Sequence, residues 1–419
     1  MKTIIPLTAL LLLSAAATVL SAQTMTYASF MQNVKEKNIQ YLAEKYNTDI
    51  AKATAEAAKV FPDPDLVLSA ADNQERSLQM GYNLDAGLEY TLELGGKRKA
   101  RIRLAQSEAE LTAALVQDYF RNLQADAASA WFTALFQKEL VEIKQSSYTQ
   151  MSALARADSL RFTLGAIMEI DALQSKLEAG SLLNDLIQSE ADLQNTVIQL
   201  HLLQGSEQLQ SADSLAGKLT FTKRTFLLPD LMETALNNRA DLQAALKSTE
   251  VSRRNLQLSK ANRAIDLGLS AGISYNAEVR NEIAPAPMFR SIGAGISVPL
   301  KFSNANKSEI RAGKLAVAQS EVACQAAERQ IRAEVLQAFN QYTAACRQAE
   351  QFDTARLTDA ETVFRAKRYS YERGETSLLE VLAARRTCND IRESHSQALL
   401  NCLTALVELE RASGVWDIE

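Results

Sequence analysis

Glycine and proline are scarce in this chain, and their spacing is uneven. Among 419 residues there are 15 Gly and 7 Pro, and none falls within 97–164, 314–373 or 375–413. Both residues break helices, so three uninterrupted stretches of this length predict very long helices. Histidine is rarer still. His201 and His395 stand far apart, each expected on a helix surface, so no His/Cys metal motif is available. Four cysteines in so long a chain do not make a disulfide framework. There is no nucleotide-binding Gly-rich loop and no G-x-S-x-G. No convergent set of titratable groups is visible, so no catalytic residue, cofactor or bound metal is expected. Neither sign of charge dominates: without the first 22 residues the chain has 44 basic and 50 acidic groups, which argues against nucleic acid as partner. Beyond residue 22 no apolar run is long enough for a membrane-spanning helix.

The start, MKTIIPLTALLLLSAAATVLSAQ, has a basic residue, an apolar core and small residues at its end. That is the pattern of a secretory signal peptide over 1–22, cut after Ala22. The remainder reads as one unit used twice. DLVLSA at 65–70 returns as DLGLSA at 266–271, an offset of 201 residues. Gln106-Ser107-Glu108 returns as Gln319-Ser320-Glu321 at an offset of 213, and Gly165 and Gly205 return as Gly374 and Gly414 at 209. Preserved order at nearly constant offset indicates duplication. The expected division is a first helix–strand–strand–helix–helix repeat at 23–204, a connector at 205–229 and a second repeat at 230–419. The helices are expected at 26–61, 97–155, 166–204, 230–263, 306–362 and 375–413. Such lengths require lateral packing, to which Ala125, Ala127, Ala128 and Ala130 are suited; a plain coiled-coil rod is the alternative.

Gly and Pro crowd into 62–96 and 268–299, and there the periodicity becomes two. Tyr82, Leu84, Ala86, Leu88, Tyr90 and Leu92 alternate with Asn83, Asp85, Gly87, Glu89, Thr91 and Glu93. Ile292, Ala294, Ile296, Val298 and Leu300 alternate with small or polar residues in the same way. A soluble sheet shows this pattern too, but helices so long leave no globular core for it to cover. Ten-residue dyad repeats also mark membrane β-barrel strands, apolar outward and polar inward. Strands are expected at 65–73, 82–94, 265–276 and 289–300. Four strands cannot close a barrel, and an open edge cannot sit in lipid, so several copies must share one barrel. Eight strands from two copies would be filled by side chains, whereas twelve from three leave a lumen.

The plan, the Pro-bearing helix end FPDPDLVLSA, the segment LELGGKRKARIRLAQSE and the helix turn RYSYERGETSLLEVLAA together resemble the TolC family of outer-membrane efflux channels over essentially the whole mature chain. The resemblance implies an α+β membrane protein with a TolC-like trimeric β-barrel, four strands per chain and twelve in total. The barrel would continue into a long α-helical periplasmic tunnel. It implies a passive conduit in the outer membrane. It also implies a homotrimer working with a periplasmic adaptor protein and an inner-membrane efflux pump of the resistance-nodulation-division type. The ELGGKR form is similar to the branch that serves heavy-metal cation pumps. A non-channel envelope scaffold or adhesin of helical hairpins is the competing expectation.

On this reading Asp85, Glu89, Glu93 and Asp266 line the lumen, with no Lys or Arg on the inward faces. A ring of such acids favours cations, and simple solvation of a wide pore is the alternative. The turns at Gly165 and Gly374 would form the periplasmic tip. The resemblance places a gate carboxylate at Glu380, with Asp171 as its repeat partner and Tyr371 as a latch. The chain departs from the family pattern at Ala383, where a second acid is missing, and at Thr376, which replaces an arginine. A solvated helix face with dipole compensation is the plain reading of both acids. Cys346 and Cys402 each lie 28 residues from Gly374, so they could lie level across an antiparallel helix pair without necessarily facing each other.

Overall fold

The computed structural model describes residues 24–74, 79–207, 214–300, 305–352 and 354–417. The expected signal peptide, 1–22, and positions 208–213 of the connector lie outside the described residues. In chain order the elements are β1 (Thr24–Met25), α1 (Tyr27–Lys37), α2 (Ile39–Ala57), β2 (Asp65–Asp72), β3 (Tyr82–Leu92), α3 (Lys97–Thr163) and α4 (Glu169–Leu203). They continue as β4 (Ser214–Leu215), α5 (Leu228–Asn238), α6 (Ala240–Ala261), β5 (Leu267–Asn276), β6 (Phe289–Ser297), α7 (Ala305–Gln351), α8 (Thr354–Glu372) and α9 (Leu378–Ser413). The 67 residues of α3 run without a break, about 100 Å at ~1.5 Å per residue. Among the described residues no helix is apolar enough to cross a membrane.

The helix expected at 306–362 is divided between α7 and α8, and two more are interrupted where the sequence likewise has neither Gly nor Pro. Asn38 divides 26–61 and Arg239 divides 230–263, at matching places 201 residues apart. Each break is held by a distant helix end. The Asn38 side chain accepts from Tyr41 N at 2.8 Å, capping α2, and donates to the Leu203 carbonyl at 2.8 Å at the end of α4. Arg239, 3% exposed on its side chain, pairs with Asp241 at 2.6 Å and Glu334 at 2.7 Å. It also donates to the Ala412 carbonyl at 3.2 Å, at the end of α9. Gly205, with φ of +69°, lets α4 end against this joint: a Cβ there would sit 2.1 Å from the Lys37 carbonyl oxygen. His201 belongs to the same joint and is only 1% exposed, so the expected surface position is corrected. The last turn of α4 packs into the chain rather than along its outside, and Gln204 Nε2 lies 2.8 Å from the His201 ring.

Burial is spread along the helices in separate clusters. One surrounds Trp131 with Phe30, Val34 and Leu200, and Phe30 stacks on the indole at 5.5 Å. Ala125 and Ala128 are sealed by Val407 of α9, the close helix contact their small side chains permit. A third cluster, near the Gly374 turn, joins Met151, Leu154 and Leu182 to Tyr371, Leu378 and Val381.

The four long strands form one antiparallel sheet in the order β2-β3-β5-β6, so the two halves of the chain meet at β3–β5. Over most rows the register keeps apolar side chains on one face and small or polar ones on the other. Leu68 opposes Ala86, Ala86 opposes Ile273, and Ile273 opposes Ile292. The other face aligns Ser69, Asp85, Ser274 and Ser291 in one row. Apolar side chains stay open, with Ile292 88% and Leu68 69% exposed, an apolar surface that water does not favour.

Candidate functional site

At the helix-side end of the sheet, the basic cluster after β3 meets Glu93, just after β3, and Asp266, just before β5. Lys97, itself buried, places Nζ 2.5 Å from Asp266 Oδ2, and Asp266 Oδ1 accepts from Leu94 N at 3.3 Å. Arg101 grips Glu93 in a fork, 2.7 and 3.1 Å to its two oxygens, the bidentate geometry that fixes direction as well as charge. Arg98 donates to the Lys59 carbonyl and covers the Phe61 ring at 4.0 Å. Two of the four expected lumen acids, Glu93 and Asp266, therefore anchor α3 to the strand ends.

The other two stand within the sheet. Asp85 accepts from Ser69 Oγ at 3.0 Å. Glu89 is opposite Asp65 in register, on the same face. As the first residue of β2, Asp65 has the sequence pattern of a boundary residue, and only its pairing with Glu89 puts it on this face.

At the far end, the α3–α4 hairpin and the α8–α9 hairpin are tied by polar contacts. Tyr371 donates its phenol to Asp158 Oδ1 at 3.2 Å, and Asp158 is fully buried. Burial pushes the Asp158 carboxyl above its ordinary value, opposed by the Ser175 and Tyr371 hydroxyls and by Arg161, while Asp171 adds to the rise. Arg161 lies 3.8 Å from Asp158 and donates to the Glu372 carbonyl across the gap. Further up, Arg385 of α9 pairs with Glu178 of α4, which also meets Arg386 at 3.3 Å. Arg385 is 3% exposed, and burial holds its guanidinium below the ordinary value. Lys144 and Glu393 make a further tie at 2.5 Å.

Tyr371 and Asp171 are thus gathered round Asp158, whereas Glu380 is engaged elsewhere. Its carboxylate lies 2.5 Å from Lys367 on the neighbouring α8, and that hydrogen bond holds its pKa below the ordinary value. Asp158 and Arg385 were not found from sequence. Each sits in a long helix, and its partner lies more than 200 residues away. Among the described residues there is no cluster of three His, Cys, Asp or Glu able to hold a metal.

A sheet with one lipid-compatible face and two free edges, continued by helices of which α3 alone is about 100 Å long, has the form of an envelope-spanning channel subunit. Residues 231–415 match the outer membrane efflux protein family. It is 24% identical over 396 residues to the cobalt-zinc-cadmium resistance protein CzcC of Cupriavidus metallidurans, covering 94% of this chain and 91% of that one. It is 22% identical to the outer membrane protein TolC of Vibrio cholerae over 99% of this chain and 96% of the other. The outer membrane channel CmeC of Campylobacter jejuni shares the fold, with a TM-score of 0.77 at 15% identity, over 92% of this chain and 85% of that one. The protein is an outer-membrane efflux channel reaching into the periplasm, a conduit and not an enzyme.

Proposed function

We propose that three copies close a twelve-strand barrel and export metal cations delivered by a periplasmic adaptor and an inner-membrane pump of the resistance-nodulation-division type. On this reading a 22-residue leader precedes repeats at 23–204 and 230–419, joined by the 205–229 connector. The observation that carries the cation preference is the polar sheet face. It holds Asp65, Asp85 and Glu89 and no Lys or Arg, since Arg290 of β6 pairs with Tyr275 on the opposite face. Three copies would carry nine carboxylates into the lumen, enough to raise the local cation concentration. Resemblance to CzcC over nearly the whole chain supports metal rather than drug as cargo. At the tip, Leu164, Met168 and Leu177 are 69–75% exposed, which suits docking of an adaptor. Tyr371, Asp158 and Asp171 serve as the gate latch, with Glu380 at the entrance.

Deletion followed by complementation tests this. Cells lacking the channel should accumulate zinc, cobalt or cadmium, measured by elemental mass spectrometry. The wild-type chain should restore export, and a D65N/D85N/E89Q chain, inserted to the same level, should restore it only in part. Unchanged metal content on deletion sinks the metal cargo. Full restoration by the neutralised chain reduces the acids to solvation of a wide pore.

A further inference from the structure

Cys346 of α7 and Cys402 of α9 lie with their sulfurs 3.1 Å apart, and both are buried, at 2% and 0% exposure. They sit in an apolar cluster with Tyr342, Ala345, Ala398, Ala405 and Leu406. The alanines bring the two helices close enough for such short side chains to meet. One turn before Cys346, the Tyr342 hydroxyl accepts from Arg224 N and donates to the Arg224 carbonyl, each at 3.0 Å. The connector is therefore fastened to α7 at the same level.

We propose that Cys346 and Cys402 are joined by a disulfide bond in the mature channel. This rests on the periplasmic placement of the helices, since thiols persist in the cytosol but are oxidised in the bacterial envelope. A sulfur–sulfur bond needs about 2.05 Å, so the sulfurs must close by roughly 1 Å, within the reach of side-chain rotation. A metal shared between both sulfurs fits less well. Two bonds of ~2.3 Å at a tetrahedral angle would hold them near 3.8 Å, and the described residues supply no cluster of further ligands.

The chemistry is thiol–disulfide exchange with an envelope dithiol oxidase. One cysteine thiolate attacks the donor's disulfide, giving a mixed disulfide and releasing one donor thiolate. The second cysteine thiolate then attacks the chain's own sulfur and expels the other donor sulfur. Two thiols of the channel are oxidised, one disulfide of the donor is reduced, and both protons pass to the donor dithiol. Because the pair is buried, the exchange belongs to the stage before α7 and α9 close together. Once made, the bond is shielded from reductants.

Such a staple has a mechanical consequence. It lies 28 residues from Gly374 along either helix, about 40 Å from the tip at ~1.5 Å per residue. It fixes α7 to α9 near the connector and leaves the α8–α9 hairpin below it held by its ties to α3 and α4.

Cells acid-quenched before lysis and alkylated in denaturant without reductant would report the native state. Trypsin should release peptides 333–347 and 393–411 as one linked species, two hydrogens lighter than their sum. Alkylation should be lost at Cys346 and Cys402 and retained at Cys324 and Cys388. In the folded protein reductant should leave the link intact, and denaturant plus reductant should release it. Four alkylated cysteines in quenched outer membranes would overturn the proposal, as would a link formed only in air-exposed extracts. Density-gradient fractions of the same cells separate that result from a failure of the channel reading, which would instead place the chain outside the outer membrane. A C346S/C402S chain should still insert and be heat-modifiable, so the link can be scored apart from folding.

Discussion

The most displaced acid outside the tip is Glu410, near the end of α9 and 4% exposed. Burial first, and then the hydrogen bond with Asp417 that keeps the proton between them, push its carboxyl up to about 8. Arg224 holds the same pair, 3.5 Å from Glu410 and also bonded to Asp417. The folded chain thus keeps a proton that the unfolded chain releases near 4.5. Stability from this group is therefore greatest at low pH and is lost as pH rises from about 4.5 to about 8, because the folded state binds more protons there. Glu410→Gln keeps a donor toward Asp417 without the titration. The midpoint of thermal unfolding in detergent, followed from pH 5 to 9, should fall for wild type relative to this variant. Parallel curves would show that Glu410 is already ionised in the folded chain.

At the scale of elements, the two helix joints decide how the repeats lie on the sheet. Asn38→Ala removes both the cap of α2 and the bond to the Leu203 carbonyl; together these predict a loss of about 1–3 kcal/mol. Gly205→Ala should cost more, since its Cβ would meet the Lys37 carbonyl at 2.1 Å from a left-handed backbone. Denaturant unfolding of the two variants checks the order, and a milder effect of Gly205→Ala would mean that the joint is loose. These joints also mark the limit of what could be read from sequence. The strands were legible because alternation survives only where two solvents of opposite character face one sheet. The helices were legible because nothing interrupts them. The breaks at Asn38 and Arg239 were not, since their stabilising carbonyls lie 165 and 173 residues away. The candidate site divided in the same way. The shared face of Asp85 and Glu89 followed from periodicity and the place of Tyr371 beside the turn from family resemblance, whereas the ion pairs of Glu93 and Asp266 with the basic start of α3 did not.

In the whole molecule, the tip contacts would be repeated three times around the proposed trimer, so a small change in each chain is multiplied at the entrance. The Tyr371–Asp158 bond is the tie whose loss can be separated from packing, since Tyr371→Phe keeps the ring in its cluster with Leu378 and Val381. A hydrogen bond to a charged group contributes about 1.5–3 kcal/mol, so losing it shifts a two-state tip at least tenfold toward the open form in each chain. Asp158 would remain buried beside Arg161 with one donor fewer, which further disfavours the closed arrangement. Asp158→Asn is the contrasting variant: its amide oxygen still accepts from Tyr371 and no buried charge remains. Single-channel recording in planar bilayers should show Tyr371→Phe open for a larger fraction of the time, and Asp158→Asn much less changed. Traces of Tyr371→Phe that match wild type would assign the closing force to Arg385–Glu178 and its neighbours instead, because those ties join the same two hairpins without using the phenol.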